Sequence, residues 1–144
     1  MANVPAANSK PPKNIVICID GTGDWSGWHE TNVFRIFQRV NANSGQVKFY
    51  TGGVGTLANS AVISASKRTF LQLLDLATAT GLHDQVLDAY QFLIDHYEPN
   101  DNIYLFGFSR GAFVCRALAA IVYRFGILPK QHENLAKYAW QVYS

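Results

Sequence analysis

Three short apolar runs alternate with longer segments of helical periodicity along this chain. The first run, Ile15 to Ile19, is continuous and mostly β-branched, which is typical of a strand buried on both faces of a parallel sheet. The second, Gln46 to Thr51, alternates in polarity, and the third, Ile103 to Phe108, is again mostly apolar. We therefore predict an α/β fold in which three parallel strands are separated by helices.

Two of the connecting segments carry clear helix signals. Thr31 or Asn32 is placed to cap a helix whose apolar positions follow at helical spacing. Arg110 to Phe125 predicts a helix directly after the third run, and Gly126 is positioned to end it.

The longest connection contains a second amphipathic pattern. Apolar residues fall on one stripe from Leu82 to Tyr97, which predicts a helix that stops before Pro99. The stretch before it is predicted as a separate helix that ends at Gly81.

Composition places the chain among folded globular proteins. It has 144 residues, of which 49% are apolar and 15% charged, enough for one domain with a core. We expect residues 1–14 to form a disordered leader and residues 15–144 to form the domain. A net charge of +2 argues against nucleic acid as a partner, and no apolar run is long enough to predict a transmembrane segment.

Both cysteines lie in apolar segments. Cys18 and Cys115 are expected to be buried and reduced rather than joined in a disulfide. The histidines have no metal-ligand spacing with another histidine, a cysteine or a carboxylate, so we predict neither a metal nor another cofactor.

The string Gly107-Phe108-Ser109-Arg110-Gly111 follows the third strand and opens the helix after it. This is the G-x-S-x-G pattern of a nucleophile elbow, in which a sharp turn exposes the serine hydroxyl and leaves no room for side chains at the two glycines. The backbone N–H of Arg110 would then face a developing oxyanion. The alternative is that Ser109 only caps the helix.

A second oxyanion donor is expected from the loop after an earlier strand. Asp20-Gly21-Thr22-Gly23 leaves the same sheet edge as Ser109, so the backbone of Gly21 and Thr22 is our candidate. The same loop also fits an ordinary turn with Asp20 as a cap, and Gly52 to Gly55 is a rival. Neither loop has the pattern of a P-loop, which argues against nucleotide binding.

A serine nucleophile needs a histidine base that is oriented by a carboxylate. After Ser109 the chain contains one histidine, His132, with Glu133 beside it and no aspartate. His132 also fits a solvated surface position. The other histidines precede the serine: His29, His83 and His96. The triad histidine and acid therefore stay unassigned.

Three strands would make only the front half of a hydrolase sheet, in which the elbow strand is normally central. The last segment, Glu133 to Ser144, carries aromatic residues that would need a partner surface. Two hypotheses follow. The chain is a serine ester hydrolase, or it is a truncated, catalytically inactive α/β fragment that acts as a binding or assembly module.

Several motifs in order resemble one family, the Tle1-like phospholipase effectors of the type VI secretion system, an α/β-hydrolase domain. The resemblance runs from about Ile15 to Leu128. The motifs are Asp20-Gly21-Thr22, Thr31-Asn32-Val33, Gly53-Val54-Gly55-Thr56, Ala89-Tyr90, Ile103 to Ala112, and Arg116-Ala117. The sequence departs from the family in having Asn100 where glycine is usual before Asp101.

The resemblance implies a serine lipase that cleaves phospholipid esters, with Ser109 as the nucleophile, and makes residues 15–144 the N-terminal part of its catalytic domain. The family's C-terminal half, which holds the histidine and the membrane-facing parts, is not in this sequence. Members that act as antibacterial effectors are made in the cytoplasm and secreted by the type VI system without a signal peptide. An effector role would bring an immunity or secretion partner.

Overall fold

A computed structural model describes residues 11–21, 30–52 and 67–143 of the chain. Strands and helices alternate along it as the hydrophobic pattern predicts. In chain order the elements are β1 (Asn14–Ile19), α1 (Asn32–Arg39), β2 (Gln46–Thr51), α2 (Lys67–His96), β3 (Asn102–Gly107), α3 (Arg110–Phe125), a 3₁₀ helix (Lys130–Leu135) and α4 (Ala136–Tyr143).

The described strands form one parallel sheet in the order β2-β1-β3. Asn14 pairs with Gln46 on one side and Asn102 on the other, and Ile19 pairs with Thr51 and with Gly107. All three strands therefore end at the same edge of the sheet, which we call the carboxyl edge. The parallel α/β architecture predicted from the sequence is confirmed.

Helices cover the two faces of the sheet unequally. Ile15, Ile17 and Ile19 point into a large core shared with α2, α3 and α4, whereas Val16 and Cys18 pack with Val33 of α1 on the other face. From its second residue onward, β1 is buried. This explains why its sequence is a continuous apolar run rather than an alternating one.

The chain reverses its direction of strand addition at β1. The crossover through α1 places β2 on one side of β1, and the crossover through α2 places β3 on the other. In open α/β sheets of this order, ligands bind in the crevice outside the carboxyl ends of the two strands at the reversal. Here those strands are β1 and β3.

The long connection between β2 and β3 corrects one prediction. We expected a helix to end at Gly81, but α2 continues through it from Lys67 to His96. A glycine inside a helix costs about 1 kcal/mol relative to alanine, which packing of the helix readily offsets. The first proline after Lys67 is Pro99, so no strong helix breaker interrupts the segment before that point.

Tyr90 shows how the helical layer is held together. Its ring is fully buried between α2 and its neighbours, and its hydroxyl donates to the Gly126 carbonyl oxygen at 2.9 Å. The same hydroxyl accepts from the Leu128 N–H at 3.3 Å. The Ala89-Tyr90 motif thus belongs to the core, where it joins α2 to the end of α3.

Other local predictions agree with the structure. Thr31 caps α1, because its hydroxyl accepts from the Phe34 N–H at 3.0 Å. α3 ends at Gly126, whose φ of 74° suits glycine. Cys18 and Cys115 are both free and buried.

The last residues of the expected leader are part of the fold instead, because Asn14 begins β1 and Lys13 is held against the sheet. Lys13 forms an ion pair with Asp101, and both side chains are at least nine-tenths buried. Residues 1–10 of the expected leader lie outside the described residues. Within the described ranges, we find no single helix long and apolar enough to cross a membrane; a bent pair, Arg110–Phe125 with Lys130–Val142, passes by length and composition alone.

Candidate active site

The turns that follow β1 and β3 meet at the carboxyl edge. The Phe108 N–H donates to the Ile19 carbonyl oxygen at 3.1 Å, so the sheet ladder extends into the turn that carries Ser109. Ser109 follows β3 by two residues and directly precedes α3. The candidate nucleophile therefore lies where the strand order predicts a binding crevice.

Ser109 has a strained backbone. Its φ of 52° and ψ of −120° lie in a region that residues other than glycine rarely occupy. Its side chain makes no capping hydrogen bond to α3, and the residue is exposed. These observations count against the capping alternative and leave the hydroxyl accessible to solvent.

The two glycines that flank the turn are required sterically. A Cβ at Gly107 would lie 2.5 Å from the Gly111 carbonyl oxygen, and a Cβ at Gly111 would lie 2.6 Å from the carbonyl carbon of Ile19. Real Cβ atoms do not approach backbone atoms this closely. Glycine thus lets the turn close on itself and lets α3 begin against the end of β1.

The first turn of α3 contains one backbone N–H, next to Ser109, that has no hydrogen-bond partner within the described part of the chain. The N–H groups of Gly111 and Ala112 donate to the carbonyl oxygens of Phe108 and Ser109, at 2.9 and 3.0 Å. The N–H of Arg110 has no such partner among the described residues. A free donor at the start of a helix favours negative charge nearby. The Arg110 side chain is partly buried, and this burial lowers the pKa of its guanidinium.

Gly21 lies against the serine, as predicted for the loop after β1. A Cβ at Gly21 would be 3.0 Å from Cβ of Ser109 and 3.2 Å from the Phe108 carbonyl oxygen. The Gly21 N–H, however, donates to Oδ1 of Asp20 at 2.9 Å. This donor is therefore occupied by the neighbouring carboxylate. Thr22 and Gly23 lie outside the described residues.

Asp20 is the residue of the site that the sequence analysis undervalued. Its carboxylate is buried, and besides Gly21 it accepts hydrogen bonds from the hydroxyls of Thr31 and Tyr50, the latter at 3.2 Å. Asp20 thus holds the residue that caps α1 instead of capping a helix itself. Burial raises the pKa of Tyr50 to about 12, and the adjacent Asp20 adds to this. The available signal was an acidic residue directly after the apolar run Ile15 to Ile19.

No described histidine contacts Ser109. His132 is exposed in the 3₁₀ helix, whose Glu133 accepts a 3.2 Å hydrogen bond from Gln91. This contact places the 3₁₀ helix beside the last turns of α2. Those turns lead to the amino end of β3, at the opposite edge of the sheet from Ser109. His83 lies inside α2, bonded to Asp84 at 3.1 Å and edge-on to the ring of Trp140.

His96 is equally engaged elsewhere: its ring stacks on Phe92, and Nδ1 lies 2.9 Å from the Phe92 carbonyl oxygen. His29 lies outside the described residues. Among the residues that the structure describes, no group of three or more histidine, cysteine, aspartate or glutamate side chains could hold a metal ion.

The structure describes only the first residue of the Gly52 to Gly55 loop, the alternative source of an oxyanion donor. Gly52 follows β2, and its carbonyl oxygen accepts from the Gln85 side chain at 2.7 Å. Gly53 to Gly55 lie outside the described residues. β1 separates β2 from β3 in the sheet, so the Asp20–Gly21 turn is the described loop in contact with Ser109.

Comparison with known proteins identifies the family. Residues 13–144 match the catalytic domain of the Tle1-like phospholipase effectors of the type VI secretion system. The chain belongs to this family. The resemblance inferred from the motifs is confirmed, and the match begins at Lys13, at the anchored start of the sheet.

One curated relative is a protein of the yeast Saccharomyces cerevisiae described as "Uncharacterized protein YEL023C". It is 38% identical over 146 aligned positions, which cover 96% of this chain. The chain spans about a fifth of the length of that relative (21%). No solved structure matches the chain.

Proposed function

We propose that this chain carries the nucleophile of a serine ester hydrolase that acts on phospholipids. The observation that carries the proposal is Ser109 itself, an exposed serine in a strained turn at the reversal point of the sheet. A sharp, strained strand-to-helix turn is the structural context that a nucleophile elbow requires. Membership of a phospholipase effector family supplies the substrate class.

In the proposed reaction, Oγ of Ser109 attacks the carbonyl carbon of an acyl ester, and its proton passes to a base. The negative charge that develops on the carbonyl oxygen is stabilised by the N–H of Arg110 and by the Gly21–Thr22 loop. Collapse of this intermediate breaks the ester C–O bond, and the departing alcohol takes the proton. Water then hydrolyses the acyl-serine, which releases the fatty acid and restores Ser109.

Oxyanion stabilisation divides between the two turns in this proposal. The role of the Arg110 N–H as an oxyanion donor is supported by its lack of another hydrogen-bond partner among the described residues. Gly21 contributes by its position, because its own N–H is bonded to Asp20. A donor from this loop would therefore come from Thr22.

The proton acceptor is the part of the proposal that this chain's described contacts do not supply. His29 remains a candidate. His83 and His132 are candidates only if they leave their present surroundings, and a base from another part of a longer chain or from a second chain is the remaining source.

The biological role proposed here follows the family. As an effector, the protein would be made in the cytoplasm and secreted by a type VI system, and an immunity or secretion partner would accompany it. The yeast relative carries no such role in its description. The effector role thus rests on the family, whereas the hydrolase proposal rests on both the family and the site.

Labelling with a fluorophosphonate tests the proposal directly. The probe transfers its phosphonyl group to an activated serine oxygen with loss of fluoride. We expect the 144-residue chain to be labelled at Ser109 and the Ser109→Ala variant to be unlabelled. Histidine-to-alanine variants at positions 29, 83 and 132 would then show which histidine accepts the proton.

Two results would count against the proposal. Labelling that persists in Ser109→Ala would show that the probe reacts elsewhere. A folded chain that is not labelled would show that the residues of this chain do not activate Ser109 by themselves, and would favour a binding or assembly role for it. For a labelled chain, release of fatty acid from phospholipid vesicles distinguishes a phospholipase from an esterase of soluble esters.

A further inference from the structure

We infer that Asp20 is a positioning residue for Ser109, an inference that rests on the proposed function for its chemical consequence. Asp20 does not touch Ser109. It acts through Gly21, which lies against both the serine and the carbonyl oxygen of Phe108.

The carboxylate of Asp20 gathers three donors from three separate elements. Oδ1 accepts from the Gly21 N–H at the end of β1, and Oδ2 accepts from Thr31 at the start of α1 and from Tyr50 near the end of β2. A carboxylate accepts only, so it can satisfy all three donors at once. This arrangement fixes the path of the chain where it leaves β1.

The path after β1 matters because the serine turn is built on it. The Ile19 carbonyl oxygen accepts from the Phe108 N–H, and the backbone of Ile19 and Asp20 forms the surface on which Gly111 rests. A shift of Gly21 would therefore move its contact with Ser109. A displacement of about 1 Å at a reacting group is enough to cost about 100-fold in rate.

The substitution series follows from the hydrogen-bonding chemistry. Asp20→Ala removes every acceptor. Asp20→Asn keeps one carbonyl oxygen for Gly21, and its NH₂ group can donate to the hydroxyl oxygens of Thr31 and Tyr50. The asparagine variant should thus restore part of what alanine loses. Simple loss of a negative charge would give the opposite result, with asparagine no better than alanine.

Asp101→Ala is the matched control. Asp101 is also a buried aspartate beside the same sheet, but it lies at the amino end of β3, where it pairs with Lys13. Its loss destabilises the fold without touching the carboxyl edge. An effect shared by both alanine variants would come from general loss of stability. An effect confined to Asp20→Ala would come from loss of the contacts that position Gly21 and Ser109.

The first readout is amide hydrogen exchange by NMR on the 144-residue chain. We expect Asp20→Ala to accelerate exchange of the Gly21 and Phe108 amides at least tenfold relative to the Ile17 amide, with a smaller acceleration in Asp20→Asn. Asp101→Ala should leave this ratio unchanged. If the alanine variant does not fold, Tyr50→Phe replaces it, because this variant removes one of the three donors. We then expect the same two amides to exchange faster, by a smaller factor.

The second readout is the kinetics of fluorophosphonate labelling, measured on folded samples. We expect the maximal labelling rate to fall at least tenfold in Asp20→Ala, with the half-saturating probe concentration unchanged, and Asp20→Asn to recover part of the rate. Asp101→Ala should label at the wild-type rate.

The outcomes separate this inference from the proposed function. An unlabelled wild-type chain would show that this chain does not activate Ser109 by itself, and the exchange ratio would still decide whether Asp20 positions the turn. Unchanged exchange ratios would overturn the inference even if Ser109 is labelled. Altered exchange with wild-type labelling kinetics in Asp20→Ala would also overturn it, because the shift would then have no chemical consequence.

Discussion

At the scale of single residues, the serine turn depends on the absence of two side chains. Gly111 has no space for a Cβ because the carbonyl of Ile19 occupies it, and Gly107 faces the first turn of α3 in the same way. Both contacts involve backbone, which cannot move without disturbing β1 or α3. The strain at Ser109 is thus maintained by close packing around it.

Gly111→Ala should therefore destabilise the chain by about 1–3 kcal/mol, the usual cost of forcing a methyl group into filled space. Its effect is measured as the free energy of unfolding in urea. Gly52→Ala is the control, since a Cβ at Gly52 would have no atom of the described residues within 4 Å. We expect a change within about 0.5 kcal/mol at that position. Equal losses at the two positions would contradict this steric explanation.

The two cysteines are chemically protected by their surroundings. Burial raises the pKa of the Cys18 thiol to about 11, partly offset by Lys48, and burial likewise raises the pKa of Cys115 to about 11. At pH 8 only about one thiol in a thousand would be ionised, and the thiolate is the reactive form.

We expect Ellman's reagent to react with both thiols of the native chain at least 100-fold more slowly than with the same chain in denaturant. The rate in the native state should rise with pH up to about 11, because the thiolate fraction increases until the raised pKa is reached. A fast native reaction at pH 8 would show that one thiol is accessible and ionised.

At the scale of elements, an ion pair ties the start of β1 to the turn before β3. Both the N–H and the ammonium group of Lys13 donate to Asp101, and the Glu98 N–H donates to the same carboxylate at 2.8 Å. Burial alone would raise the pKa of Asp101, but these hydrogen bonds and the charge of Lys13 together lower it. The turn itself passes through Asn100, whose φ of 79° lies in the left-handed region that favours glycine.

The stability that Asp101 provides has a defined pH dependence. Its folded-state pKa is lowered, so the contribution is complete above the unfolded pKa of about 3.9 and is lost as pH falls through the folded-state value. Asp101→Asn should cost about 3 kcal/mol near neutral pH, the lower end for breaking a buried pair.

The difference in unfolding free energy between wild type and Asp101→Asn should shrink below about pH 4, where the unfolded chain begins to bind a proton at Asp101, and should shrink further as pH falls through the lowered folded-state pKa. Urea denaturation at a series of pH values measures it. A difference that stays constant from pH 7 to pH 2.5 would show that the ionised form of Asp101 is not what stabilises the turn.

Elements with a local cause could be predicted, and those that depend on distant contacts could not. The β1 strand and the Thr31 cap are each determined by residues close together in the sequence, and both form as expected. Gly81 has the local signature of a helix end, yet α2 continues because tertiary packing outweighs one unfavourable residue. The three-way grouping at Asp20 joins residues up to 30 positions apart, so no local pattern reveals it.

At the scale of the whole molecule, β2 and β3 are the two edge strands of the described sheet, and β3 carries the serine turn. β3 pairs only with β1 among the described residues, and its outer edge has no described partner. Side chains near that edge are exposed to an unusual extent for aromatic residues, with Tyr104 at 45% and Phe108 at 53%. An unpaired edge strand with exposed apolar residues is a site of aggregation.

The strand order explains why the Asp20–Gly21 turn and the Ser109 turn, far apart in the sequence, are in contact. The strand order brings the turn after residue 19 against the turn after residue 107, which the alternation of strands and helices anticipates. The base could not be assigned from the sequence, and no described histidine reaches the serine. The geometry of the proposed nucleophile thus lies within this chain, whereas the base that the proposal requires is not among the described contacts of Ser109.

A charge at the edge of β3 should therefore improve the solubility of the chain. We expect Tyr104→Lys to raise the concentration at which light scattering appears by at least threefold, because a lysine on an edge strand opposes pairing with another strand. Tyr123→Lys is the matched control: it makes the same change of charge at a more exposed tyrosine, 94% accessible, on α3 instead of the strand. If both variants raise the threshold equally, net charge is the cause, and the open edge of β3 does not limit solubility.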